Sequence, residues 1–361
     1  MKFSPAITNF SLSLMLALAL CSAPSSHALV VDELYFQELP VQGQGDAERL
    51  RAYREALTAV ILKVTGEERW LRDGSVERAV RDAQSFVQEV SYRSSGGGAL
   101  SQTFIRIRFD QELVDNMLGT AGIPVWDRNR PSVLLWLTVQ GPDGQRELLG
   151  SDSEHPALEL IREFSRVRGV PILIPVMDFE DRRSLPADVA WSLDEAAIRQ
   201  ASARYGADSI LSGRVLSSPG GDLVGLWQFL FRDRVETFDS LETDLAAYMQ
   251  SALTRVTAQL ATHFAINVAA QPAPEQVTLR VEGVDDITAY VNLLSYIGSL
   301  AVVDNMSTSL LDGSNIELSV SLSGSTYLFT EFLTLGRDLV PGEPTVPQEA
   351  QGNVLHYRWV R

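Results

Sequence analysis

The sequence predicts a three-domain chain of mixed class, α+β at its two ends and α/β in the middle. Three observations lead there. Apolar residues recur at period two in some stretches and at threes and fours in others, and the two patterns alternate along the chain instead of segregating. Polar, proline-bearing breaks at residues 124–131 (PVWDRNRP) and 267–276 (NVAAQPAPEQ) divide the chain into pieces of ordinary domain size. Between them, RYGADSILSGRVL at residues 204–216 runs from a helix end, through a glycine stop at Gly206, into a strand. The divisions are residues 29–125, a βααββα domain; 126–266, a mixed α/β sheet; and 277–361, a ferredoxin-like βαββαβ unit.

Residues 1–28 read as a signal peptide. Lys2 gives a positive start, residues 10–20 are apolar, and Ser26-His27-Ala28 fits a small-x-small cleavage site, with cleavage after Ala28. The apolar run is shorter than the roughly 20 residues a permanent span requires. The single cysteine, Cys21, lies inside this segment. Lipidation there is the less favoured alternative, because a lipoprotein needs a small residue before the cysteine and Leu20 is large. The mature chain is then cysteine-free, with no disulfide, thiolate nucleophile or zinc–sulfur site, and its expected location is the periplasm. A formal charge of −16, with only Lys2 and Lys63 as lysines and no basic patch, argues against nucleic acid as a partner.

In the first domain, residues 34–41 form a strand that breaks at Pro40 and the Gly43/Gly45 turn. Asp46 opens a helix whose apolar residues Leu50, Tyr53, Leu57, Val60, Ile61 and Val64 share one face until Gly66. Val76, Val80, Ala83 and Phe86 mark a second helix. Residues 87–93 and 100–109 are paired strands about a flexible tip at 94–98, and 111–121 is a short helix stopped by Gly122. In the middle domain, residues 133–139 are apolar throughout, as in a strand covered on both faces. A turn at 141–144, a helix at 157–167 stopped by Gly169, a strand at 171–177, an acidic loop at 178–189 and a helix at 193–205 follow. Strands at 209–216 and 223–231 continue the sheet, and Leu241, Leu245, Tyr248, Ala252, Val256, Leu260 and Phe264 mark a long helix. The last domain reads as strand 277–282, helix 287–297, strands 300–305 and 316–322, helix 327–335, a Pro-rich loop and strand 354–360.

No constellation in the sequence specifies a reaction or a cofactor. Beyond the signal segment the histidines are His155, His263 and His356, unpaired in spacing; there is no HExxH, G-x-S-x-G or phosphate loop. Asp178, Glu180, Asp181 and Asp188 lie at the carboxyl end of an expected strand, where open α/β sheets place ligands. Oxygen-only carboxylates suit a hard cation such as calcium, although Arg182 and Arg183 neutralise the same charges and the simpler reading is a solvated acidic loop. Arg128 and Arg130 flank the first break. They read as surface arginines at a hinge, with a clamp on a neighbouring carboxylate as the functional alternative. Trp227, Phe229 and Phe231 read as a buried sheet face, and Asp208 as a turn former.

Residues 30–266 resemble an uncharacterised family of Gram-negative envelope proteins, the domain of unknown function numbered two-zero-six-six. The matching pieces are LKVTG at 62–66, Phe109-Asp110, Ile123-Pro124-Val125-Trp126 followed by RPSVLLWL, PVMDFED at 175–181, and SARYGADSILSGRV. That resemblance carries no catalytic residues. The helix, Gly-Ala-Asp and apolar strand also resemble the small α/β domain of the amino-terminal part of TolB, CsgG and FlgT, which act by docking onto envelope components. The expectation is an exported, non-enzymatic protein that binds or scaffolds an envelope protein through Asp178, Glu180, Asp181, Arg128 and Arg130. The alternatives are a periplasmic hydrolase or a cation- or ligand-binding protein using the acidic loop, and a peptidoglycan binder using Trp and Tyr faces.

Overall fold

The computed structural model describes residues 31, 33–95, 102–218, 220–267, 275–335, 338–342 and 353–360. The signal segment, with Lys2, Cys21 and Ala28, and most of the 267–276 break lie outside the described residues. Mixed α/β structure is built on three sheets.

The first sheet has antiparallel order β1-β3-β2, from β1 (Phe36–Val41), β2 (Val87–Ser95) and β3 (Gln102–Phe109). Helix α1 (Asp46–Thr65) buries Leu57, Val60, Ile61 and Val64 against it and stops at Gly66, whose left-handed φ of 72° returns its N–H to Leu62 O. Helices α2 (Gly74–Arg81) and α3 (Gln111–Thr120) are N-capped by the side chains of Asp73 and Asp110.

The middle sheet runs β5-β4-β7-β8-β9, from β4 (Val133–Gln140), β5 (Arg146–Leu148), β7 (Ser209–Ser217), β8 (Leu223–Phe231) and β9 (Arg234–Glu242), with short β6 (Ile172–Leu173) also on β4. β4 is parallel to β7 and β6; the rest is antiparallel. Strand alternation sends Val133, Leu135 and Leu137 into a core shared with α4 (Pro156–Arg168) and α8 (Leu245–Phe264). Leu134 and Trp136 go into a second core under α5 (Phe179–Ser184), α6 (Ala187–Ser192) and α7 (Glu195–Ser202). Both faces are covered, which explains the unbroken apolar run of β4. Trp227 and Phe229 are buried as expected, whereas Phe231, at the end of the strand, is only half-buried.

Gly213 on β7 is opposite Trp227 on β8, and a Cβ there would lie 2.3 Å from the indole. Gly213→Ala is therefore expected to lower the unfolding free energy by about 1–3 kcal/mol by overpacking, measurable in urea unfolding. An unchanged midpoint would mean Trp227 has room to move.

The third sheet runs β11-β12-β10-β14-β13, from β10 (Glu275–Glu282), β11 (Val303–Asp312), β12 (Asn315–Leu322), β13 (Leu339–Pro341) and β14 (Val354–Trp359), with α9 (Ile287–Gly298) and α10 (Thr326–Leu335). The split βαββαβ order is present, with one departure. β14 pairs parallel to β10, because the added β13, antiparallel to β14, reverses the chain once more. The apolar core of the middle sheet continues into this third layer. Phe264 on α8 meets Phe332 on α10 at 5.7 Å between ring centroids, and Asn129 donates to Ser299 O at 3.2 Å.

Five local expectations are corrected. The strand expected at 171–177 is only Ile172–Leu173, and the acidic loop is two short helices, α5 and α6. Leu241, assigned to the long helix, belongs to strand β9, whose alternating exposed residues hide its pattern. The strand expected at 300–305 begins at Val303 and runs to Asp312. Asp208 reaches beyond its own turn, accepting from the N–H and the hydroxyl of Ser132 at 2.7 Å each, and so ties the entry of β7 to the start of β4.

Candidate functional site

The acidic segment folds into a closed network with the opening residues of the RYGADSIL stretch. Asp178 caps α5 by accepting from Asp181 N at 3.0 Å. Arg204 donates to Asp178 through both terminal nitrogens, at 2.8 and 2.9 Å, and to Asp181 Oδ1 at 3.0 Å. Asp181 is completely buried, and its second oxygen accepts from Met177 N at 2.9 Å and from the Tyr205 hydroxyl. Tyr205 in turn accepts from Val176 N at 2.9 Å. Hydrogen bonding to Arg204 holds the Asp178 carboxyl down at about 2, whereas burial, reinforced by Asp181, raises the Tyr205 phenol. Met177, at φ 58°, is held in the left-handed region by the bonds on either side of it.

Chemically, this arrangement fastens residues 176–182 to the end of the helix that feeds β7. Glu180 lies 3.6 Å from Arg204 and is exposed, while Asp188 stands apart, bound to Arg146 at 2.8 Å. Three of the four flagged carboxylates therefore gather around the Arg204 guanidinium, and Asp188 does not join them. Among the described residues no group of three His, Cys, Asp or Glu side chains could hold a metal ion. Asp181, named as a contact for a ligand or partner, is instead an interior residue with its oxygens engaged.

Arg130 is a larger correction. It is fully buried, not a surface arginine, and it does clamp neighbouring elements, but through carbonyls instead of a carboxylate. Its guanidinium donates to Asp127 O (3.0 Å), Arg168 O (3.0 Å), Gly169 O (3.1 Å), Lys63 O (2.8 Å) and Trp126 O (2.8 Å). Those acceptors come from the end of α1, the end of α4 and the bend itself, so one side chain joins the first and middle sheets. It also lies 4.3 Å over the fully buried Trp126 ring. Arg128, two residues earlier, is exposed; its carbonyl accepts from Val31 N at 3.3 Å.

Two further buried cations share this seam and were not singled out by sequence. Arg168 donates to Gly66 O at 3.0 Å and lies 3.5 Å from Glu68. Lys63 donates from Nζ to Glu33 O (3.2 Å) and Phe36 O (3.0 Å), and burial followed by the nearby Arg130 pushes its pKa down to about 8. One signal was available for Lys63: it is the only lysine beyond Lys2, set on the apolar face of α1. His155 caps α4 through Nδ1, and His263 packs among Phe231, Phe264 and Tyr327.

A family model described as Domain of unknown function (DUF8605) matches residues 28–127. The match covers the first sheet with its helices and stops just after Trp126, before β4. No curated protein matches the chain.

Proposed function

We propose that this is an exported, non-enzymatic protein that binds or scaffolds another component of a Gram-negative cell envelope, working in the periplasm after cleavage behind Ala28. The observation that carries this reading is the β11 edge of the third sheet. Ten residues long, it pairs only with β12 among the described residues and is exposed along almost its whole length. Leu310 and Leu311 on it are 52% and 64% exposed. Ile287 and Val291 of α9 are also exposed, and α9 is joined to β11 by Tyr290 and Thr308 at 3.1 Å. An open strand edge beside apolar side chains offers main-chain bonds and pockets to an extended segment of another protein. The polar groups that a hydrolytic reading would use, Asp178 and Asp181, are engaged by Arg204 and Tyr205. The resemblance to docking proteins of the envelope supports the same reading.

The test is in-cell photo-crosslinking from position 311, with position 163 on the outer face of α4 as control, followed by mass spectrometry. A discrete adduct from 311, absent from 163, is expected, together with a processed chain in the periplasmic fraction. Identical patterns from both positions would sink the edge-docking reading, and an unprocessed cytosolic chain would sink export.

A further inference from the structure

We propose that the seam between the first and middle sheets binds a small monocarboxylate, its carboxylate held by the Lys63 ammonium and the Gln37 side-chain amide. A cavity of about 430 Å³ opens there between β1, the end of α1 and the α4–β6 connection. That is within the roughly 300–1,000 Å³ typical of small-molecule sites. Two polar residues break the apolar pattern of their elements at this point. Gln37 shares the inward face of β1 with Leu39 and Val41 and is 7% exposed; Lys63 stands among Val60, Ile61 and Val64 on α1 and is 5% exposed. Both line the cavity.

Both can offer donors to it. Lys63 Nζ has three donors and gives two of them to carbonyls; among the described residues it makes no ion pair. The Gln37 side chain makes no hydrogen bond among the described residues. An anionic, hydrogen-bond-accepting head group in the cavity would take the third Lys63 N–H and a Gln37 amide N–H, and would compensate the desolvation of the ammonium. Arg130, close behind Lys63, adds to the positive potential.

The surroundings select the type of anion. Glu38 lines the same cavity and is kept ionised by Arg93 and Arg106, while Glu33 stands exposed beside it. Arg166, also on the wall, is paired with Glu163 at 2.6 Å. With two carboxylates at the mouth and the Lys63 ammonium inside, a singly charged head is favoured over a phosphate dianion. Val170, Pro171 and Ile172 form an apolar wall for the body of the ligand.

Expressed from Leu29, the chain carries Lys63 as its one lysine, so labelling with carbon-13 lysine gives a single, assigned signal. Acetate, butyrate, hexanoate and, separately, inorganic phosphate are titrated onto this chain. The expected result is a saturable shift of the Lys63 signal, a rise in its titration midpoint, and binding about fourfold tighter per added methylene. Gln37→Leu, which leaves the Lys63 hydrogen bonds in place and suits an apolar strand face, is expected to weaken binding about tenfold without lowering the melting temperature. The proposal is overturned if no acid shifts Lys63 saturably, if phosphate binds as tightly as butyrate, or if Gln37→Leu leaves the affinity unchanged.

Discussion

Replacing Arg130 with methionine is expected to lower the unfolding free energy by about 3–5 kcal/mol, the range seen when a buried, hydrogen-bonded charge is removed from its partners. Methionine restores the volume, so the loss comes from five carbonyls, those of Lys63, Trp126, Asp127, Arg168 and Gly169, left in the seam without the donors that held them. Lysine at this position should recover only part of the loss. It has three donors on one atom, where the guanidinium spreads five over a plane that reaches both sheets. Urea unfolding followed by tryptophan fluorescence reads the effect directly, since Trp126 lies beneath the guanidinium. A change below about 1 kcal/mol for Arg130→Met would show that water or a backbone shift satisfies those carbonyls, and the clamp would have to be abandoned.

Asp181→Ala should have an effect of similar size, about 3–4 kcal/mol, because it strands the Met177 amide, the Tyr205 hydroxyl and part of Arg204 around a completely buried position. The neighbouring Asp178 adds a pH dependence. Its carboxyl is held at about 2 in the folded protein against an ordinary 3.8, so the folded state releases that proton more readily than the unfolded one. The contribution is fully present above the ordinary value and disappears as the pH falls from about 4 towards 2. Asp178→Asn is expected to flatten this part of an acid-unfolding curve and leave the neutral region offset by a constant. An acid limb identical in both proteins would show that other carboxylates govern it.

Much of the architecture could be read in the residues because the devices are local. Gly66, Gly169 and Gly206 end helices in the left-handed conformation as expected, and the period-two face of β8 buries Trp227 and Phe229. Elements that broke their own pattern were lost. β9 buries only Phe238 fully, so RVETFDSLE shows almost no alternation. The short helices α5 and α6 are six residues each, too brief for a 3.6-residue period to emerge, although Asp178 with Asp181 three residues on is a helix-start signature. Parallel pairing of β14 follows from β13, three residues beside a Pro-rich stretch. The seam was the hardest part to see. Polarity places Arg130 and Lys63 at the surface, and only the long-range meeting of α1, α4 and the 124–131 bend makes them interior residues. The acidic segment was correctly located as a polar concentration, but its role was set by Arg204 and Tyr205, more than twenty residues away in sequence.

The place of β14 bears on the order in which the chain can assemble. This strand lies between β10 and β13, so β13 has no neighbour in the third sheet until residues 354–359 are available. Its parallel match to β10 joins segments more than seventy residues apart, Thr278 to Val354 and Glu282 to Arg358. Contacts of such separation form late, after the hairpin of β11 and β12 and the two helices. During synthesis the first and middle sheets can close while this layer is still open, with β10 offering a bare edge on the side that β14 will fill.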